Sequence, residues 1–140
     1  MEGLQEMLSA MDSQVESIVE ATPDLLLNAA EAVHGTAVGL LSLLSHPPGT
    51  PTPSAPGTPP AMISGDLAAS IVPGELVGEG GVWSITIGPT TVYARIQELG
   101  GVCGKGYRTT LPPRPYLGPA LELSGDEIGS VFSEGWSAAL

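Results

Sequence analysis

The 140-residue sequence holds few side chains that could do chemistry. Its single cysteine, Cys103, sits in GGVCGKGYR with no histidine beside it and no helix start to lower its pKa. It reads as a loop cysteine rather than a nucleophile. The two histidines, His34 and His46, stand twelve residues apart, without the cysteine or carboxylate spacing of a metal site. Gly100-Gly101 and Gly104-Lys105-Gly106 lack the strand-to-helix setting of a phosphate-cradling loop. No serine lies in a nucleophile elbow, and no carboxylate pair has a spacing suited to acid–base work. The expectation is a protein that is not an enzyme and that takes no cofactor or metal.

Charge is the stronger signal. All four basic residues, Arg95, Lys105, Arg108 and Arg114, fall between Thr91 and Leu121, against 15 acids and a net charge of −11. That balance argues against a basic face that reads DNA. It is compatible with an acidic wall past which DNA slides, because like charges repel. Pro113 and Pro115 hold the backbone around Arg114 extended. Its guanidinium suits a carboxylate or backbone carbonyls at an interface, or equally an internal ion pair that fixes the turn. Tyr93 and Tyr116 read as core or subunit-contact aromatics with a polar tip, and Trp83 and Trp136 as core. The candidate interface residues are Arg95, Arg108, Arg114, Tyr93 and Tyr116.

The elements that must position these residues form one domain, residues 1–140, of α+β class. Residues 1–45 read as helix, with Leu4, Leu8, Met11, Val15 and Ile18 on one face and the stripe resuming at Leu25, Ala29, Val33, Ala37, Leu40 and Leu44. Thr22 as an N-cap and Pro23 at a first helical position predict a kink or restart there. Seven acids, from Glu2 to Glu31, have no Lys or Arg within the segment. Residues 46–61, with seven prolines, read as a semi-stiff linker or arm, or as a solvated loop. Residues 62–123 read as sheet and hinge. Ser64 caps a short turn, Glu79-Gly80-Gly81 turns a hairpin, and Val92–Leu99 reads as strand or helix, with helix favoured by Val92, Ile96 and Leu99 and by Gly100 as a C-terminal cap. VCGKGYRTT reads as flexible and basic. Residues 124–140 read as a C-terminal helix, capped by Ser124, with Ile128, Val131, Phe132 and Trp136 as its apolar face.

Composition limits the class further. Charged residues make up 14% of the chain, against about 25% for an average globular domain. A lightly charged, apolar-leaning surface suits a subunit covered in an assembly. The first residues carry Glu2 and Glu6 rather than a basic signal-peptide region, and no apolar run approaches the roughly 20 residues of a membrane span. A lone cysteine fits a reducing, cytosolic place of assembly.

Three stretches carry a resemblance. SAPGTPPAMISGDLAASI (Ser54 to Ile71) resembles a proline-glycine run followed by a T/S-G-x-L-x-x-S-I turn. TVYARIQELGG (Thr91 to Gly101) resembles a "YA…EFGG" element, and LPPRPYLGPALE (Leu111 to Glu122) a "PARPFLRPAL" element. In that order they resemble the small neck, tail-completion or tail-to-head joining proteins of long-tailed bacteriophages, of the minor tail component or virion morphogenesis type. Leu99 and Tyr116 stand where the family has phenylalanines, and Gly118 where it has a second arginine. The resemblance implies a structural virion protein, assembled in the host cytoplasm. It implies a homo-oligomeric ring, commonly a hexamer, between the head connector and the tail tube, with DNA passing through. Its neighbours would be head-completion or connector proteins and the tail terminator or tail tube. A tail terminator or other tail-assembly factor is the alternative, and a small protein-binding module whose proline arm engages a partner groove is another. Two expectations concern surfaces: the basic stretch docks on a neighbour's acidic helix, and the helix bearing Glu2, Glu6, Glu16 and Glu20 faces the DNA channel.

Overall fold

A computed structural model describes residues 1–50 and 54–140 of the chain. The fold is α+β: a long N-terminal helix, small antiparallel two-strand sheets, and a C-terminal helix packed back on the first.

Helix α1 spans Glu2–Leu41 without interruption, with Pro23 inside it. Of the kink or restart expected at Thr22, the restart is not seen. Thr22 does not cap; its hydroxyl donates to the carbonyl of Ile18 at 2.7 Å, as a mid-helix threonine does. The helix continues because its second half is fastened by tertiary packing, which outweighs the local cost of proline. Helix α5 (Gly125–Ala139) runs antiparallel along it: Ser124, just before α5, meets Thr36, and Trp136 near its far end meets Thr22. Gly135 lies against the side chain of Leu25, so closely that a Cβ there would collide with it. The two helices approach over small residues.

Four short pieces form a broken hairpin. Strands β1 (Ile71–Pro73) and β4 (Ile87–Pro89) pair at its base, and β2 (Val77–Glu79) and β3 (Val82–Ser84) at its tip. Gly80 and Gly81, both at positive φ, make the two-residue turn that the sequence predicts. The pairing slips by one residue between base and tip: Pro73 faces Ile87, yet Val77, four residues on, faces Ser84, three residues back. The extra residue on the first side is a bulge. Helix α2 (Asp66–Ala69) precedes β1; the Ser64 hydroxyl accepts the Asp66 N–H at 3.3 Å. Helix α3 (Ala94–Leu99) follows β4 and ends at Gly100. VCGKGYRTT is not shapeless. It forms most of a second hairpin, β5 (Gly101–Cys103) with β6 (Thr109–Leu111). Helix α4 (Leu117–Leu123) then leads into α5 through Ser124.

The core is small and sits where the C-terminal half of α1 meets α4 and β1. Val33, Ala37, Leu41, Ile71, Tyr116 and Ala120 are buried there. Ser124 is buried rather than a side-chain cap, and its hydroxyl donates to that of Thr36 at 2.9 Å. Trp83 and Trp136, expected in the core, are both more than a third exposed. Trp83 lies across Gly78 on the hairpin, and Trp136 packs at a tilt against Phe132 while its indole N–H donates to Thr22. Both find a partner at the surface, which is what amphipathic aromatics do when the core is too small to enclose them.

The proline-rich segment is closed at its base. His46 N–H donates to Met62 and Met62 N–H to Leu44, at 3.0 and 2.7 Å. Its second half is held on its own chain, with Gly57 N–H donating to Pro113 at 2.9 Å. Of the two readings of residues 46–61, the loop fits the described residues; Pro51, Thr52 and Pro53 lie outside them.

Pro23 removes one intrahelical hydrogen bond from an otherwise continuous α1. Pro23→Ala is expected to stabilise the protein by about 1–3 kcal/mol, read as a raised urea midpoint. A midpoint that falls would mean that the proline ring itself is packed.

Candidate functional site

The residues of the basic stretch are organised by a carboxylate that sequence reasoning gave no role. Helix α4 starts after Pro115, and its cap residue Tyr116 has no oxygen suited to capping. Glu98, on the last turn of α3, supplies it from outside. Its carboxylate accepts the N–H groups of Tyr116 at 2.7 Å, Leu117 at 3.0 Å and Gly118 at 2.9 Å. The next residue is Pro119, which has no N–H. One side chain thereby satisfies every free donor of the first turn, and its negative charge sits at the positive end of the helix.

The same strand of chain is tied twice more. Arg114 N–H donates to the carbonyl of Gln97 at 2.7 Å, and its Nε donates to the carbonyl of Ser54 at 2.9 Å. Gly100, at φ +70, makes the turn beneath; a Cβ there would lie 2.8 Å from the Leu111 carbonyl oxygen. Arg114 is 7% exposed and Tyr116 0%, so neither is open to a partner. Arg114 forms no ion pair among the described residues. It is a backbone staple, a role for which a planar donor group is suited. Tyr116 fills the core, and its hydroxyl is buried without a hydrogen-bond partner. Burial, with the Glu98 and Tyr93 charges behind it, pushes its phenol up to about 12.

Three candidates are open. Arg95 and Tyr93 are exposed on the α3 side, and Arg108 is exposed at the end of the β5–β6 hairpin. Tyr93, expected mainly in the core, borders a cleft of about 260 Å³ with Leu41, Met62 and Leu67. Lys105 is exposed as well. Among the described residues none of these cations forms a salt bridge; the one ionic contact is His34 with Glu31, at 3.6 Å. Leu99, which the sequence places on the apolar face of the helix, stands exposed around them, as do Val102 and Tyr107, to which the sequence gave no role.

At the other end of the molecule, every residue from Met1 to Glu16 is exposed. This part of α1 projects past the end of α5. Its apolar stripe, Leu4, Leu8, Met11 and Val15, is about half exposed. Among the described residues no cluster of side chains could hold a metal, and no helix is long and apolar enough to cross a membrane. Comparison with protein-family models, curated proteins and solved structures finds no match.

Glu98→Ala leaves up to three N–H groups without their acceptor and is expected to cost about 2–4 kcal/mol, with Glu98→Gln costing less, measured by chemical denaturation. Tyr116→Phe removes a hydroxyl that bonds to nothing, so stability near neutral pH is expected to hold or rise. A folded phenol of about 12 against an unfolded 10.0 favours the fold below pH 10 and loses that contribution as pH rises from 10 towards 12. The wild type is therefore expected to lose up to about 3 kcal/mol more than the Phe variant across that range. Parallel pH profiles of the two would dismiss this assignment.

Proposed function

We propose that this chain is a structural subunit of a tailed-phage particle. It forms part of a ring at the head-to-tail junction, of the tail-completion or tail-to-head joining kind, through which DNA passes. The observation that carries the reading is the knot around Glu98. The three stretches that resemble the family are separated in sequence by the two hairpins, yet they are bonded to one another. Ser54 and Gly57 meet Pro113 and Arg114, Arg114 meets Gln97, and Glu98 holds Tyr116, Leu117 and Gly118. They behave as three parts of one device.

The surface supports assembly rather than catalysis. A projecting apolar stripe, and exposed Val102 and Tyr107 on the second hairpin beside Leu99 of α3, are costly on an isolated monomer and useful in a ring. A ring built from one kind of chain needs two different surfaces that fit each other, and these two lie on different parts of the molecule. A binding module that recruits partners through a free proline arm is less favoured, because the described part of that segment is fastened down.

Electron microscopy of particles that carry this chain, with native mass spectrometry of the purified protein, tests the proposal. The expected outcome is a closed ring, six-fold by the resemblance, at the junction of head and tail. A protein that is monomeric in solution and absent from that junction would refute it.

A further inference from the structure

We infer that the projecting end of α1 docks on the β5–β6 hairpin of a second copy of this chain, the acids of one meeting the cations of the other. The inference rests on the ring reading and names the two surfaces that would build it.

Residues 2–16 of α1 are free on every side and about 22 Å long. At about 100° per residue, Leu4, Leu8, Met11 and Val15 form one stripe. Asp12 and Glu16 lie to one side of it, and Glu2, Glu6 and Glu20 fill the back. No Lys or Arg lies anywhere on the helix, and its one histidine, His34, lies far from this projecting part. A partner must therefore cover apolar surface and bring positive charge beside it.

The chain itself presents such a surface. Its solvent-facing Lys and Arg residues, Arg95, Lys105 and Arg108, are all on α3 or the β5–β6 hairpin, and none has an ion-pair partner among the described residues. Exposed Leu99 and Val102 lie along the same segment. Tyr107, between Lys105 and Arg108, is 77% exposed and sits at φ 53. That left-handed backbone is disfavoured for a non-glycine residue, and it belongs to a tip where the tyrosine side chain stands mostly in solvent. Tyrosine and arginine are the side chains that most often anchor interfaces. Long Lys and Arg side chains can lie along the apolar stripe and still reach carboxylates at its side. The contact joins unlike surfaces, so it repeats from copy to copy and can close a ring. Burial against apolar neighbours strengthens ion pairs that would be worth little at an open surface.

The test is a charge exchange. Asp12→Lys with Glu16→Lys reverses the helix, and Lys105→Glu with Arg108→Glu reverses the hairpin. All four side chains are exposed, so circular dichroism and thermal unfolding should match the wild type. Assembly is followed by native mass spectrometry and light scattering at low and high salt. Each reversed protein alone is expected to assemble at least tenfold more weakly, an equimolar mixture or the fourfold variant to recover assembly, and the wild type to weaken as salt rises. A wild-type oligomer that ignores both reversals and salt would overturn the docking and leave the ring standing; it would point to the apolar stripe pairing with another helix. Failure of the fourfold variant to recover would overturn the docking too. A wild type that is monomeric in solution and missing from the head–tail junction would overturn the ring reading and the docking with it.

Discussion

The order of the middle of this chain depends on where one carboxylate lies. A helix start exposes several N–H donors, and in α4 the residues around that start, Pro115, Tyr116 and Pro119, supply no acceptor of their own. Glu98 accepts all three available donors. To do so it must sit at the end of α3, with the chain folded back by Gly100 and returned by the β5–β6 hairpin. The hairpin's length, the glycine turn and the extended Pro112–Pro115 segment follow from that one requirement. Arg114 then fastens the returned segment to Ser54, so the second half of the proline-rich loop is drawn into the same arrangement.

A small core makes such polar ties important. The largest fully buried side chains are Tyr116, Ile71 and Ser124, and several of the other core positions are alanine. Apolar burial on that scale is modest, and the helix pair relies on close approach over Gly135 and on the hydroxyl contact between Ser124 and Thr36. The tip of the first hairpin and the first turns of α1 add no buried residue at all. The molecule therefore has an ordered centre and two extremities whose surfaces are unspent.

The sequence was legible where a pattern is local. The stripe of α1 announced a long helix, Gly80-Gly81 a tight hairpin turn, and Val92, Ile96, Leu99 and Gly100 a short helix with its end, although Val92 lies before that helix and in solvent. It was not legible where distant groups decide the outcome. Pro23 and Thr22 look like a helix start, and only α5, over a hundred residues away, shows why the helix runs through them. VCGKGYRTT looks flexible because Gly104 and Gly106 break every pattern; their positive φ values turn the chain between β5 and β6, which pair. Of the five residues that the sequence marked for an interface, Arg95, Arg108 and Tyr93 are at the surface, whereas Arg114 and Tyr116 are enclosed. Their type was right for contact, but burial is a property of the fold. Glu98 went unremarked because a side chain capping a helix 18 residues further on leaves no local trace.

The antiparallel pairing of α1 with α5 also governs when the protein can become itself. Thr22 waits for Trp136 and Thr36 for Ser124, separations of 114 and 88 residues. Contacts of that reach close late, because a long chain must first be brought together. Until residues 125–139 have left the ribosome, the buried face of α1 has no cover from the segment that lies on it in the native state. The nascent chain thus carries an uncovered apolar face on α1 until those residues emerge, and the carboxylates along that helix, with no Lys or Arg among them, set neighbouring copies against one another by like charge.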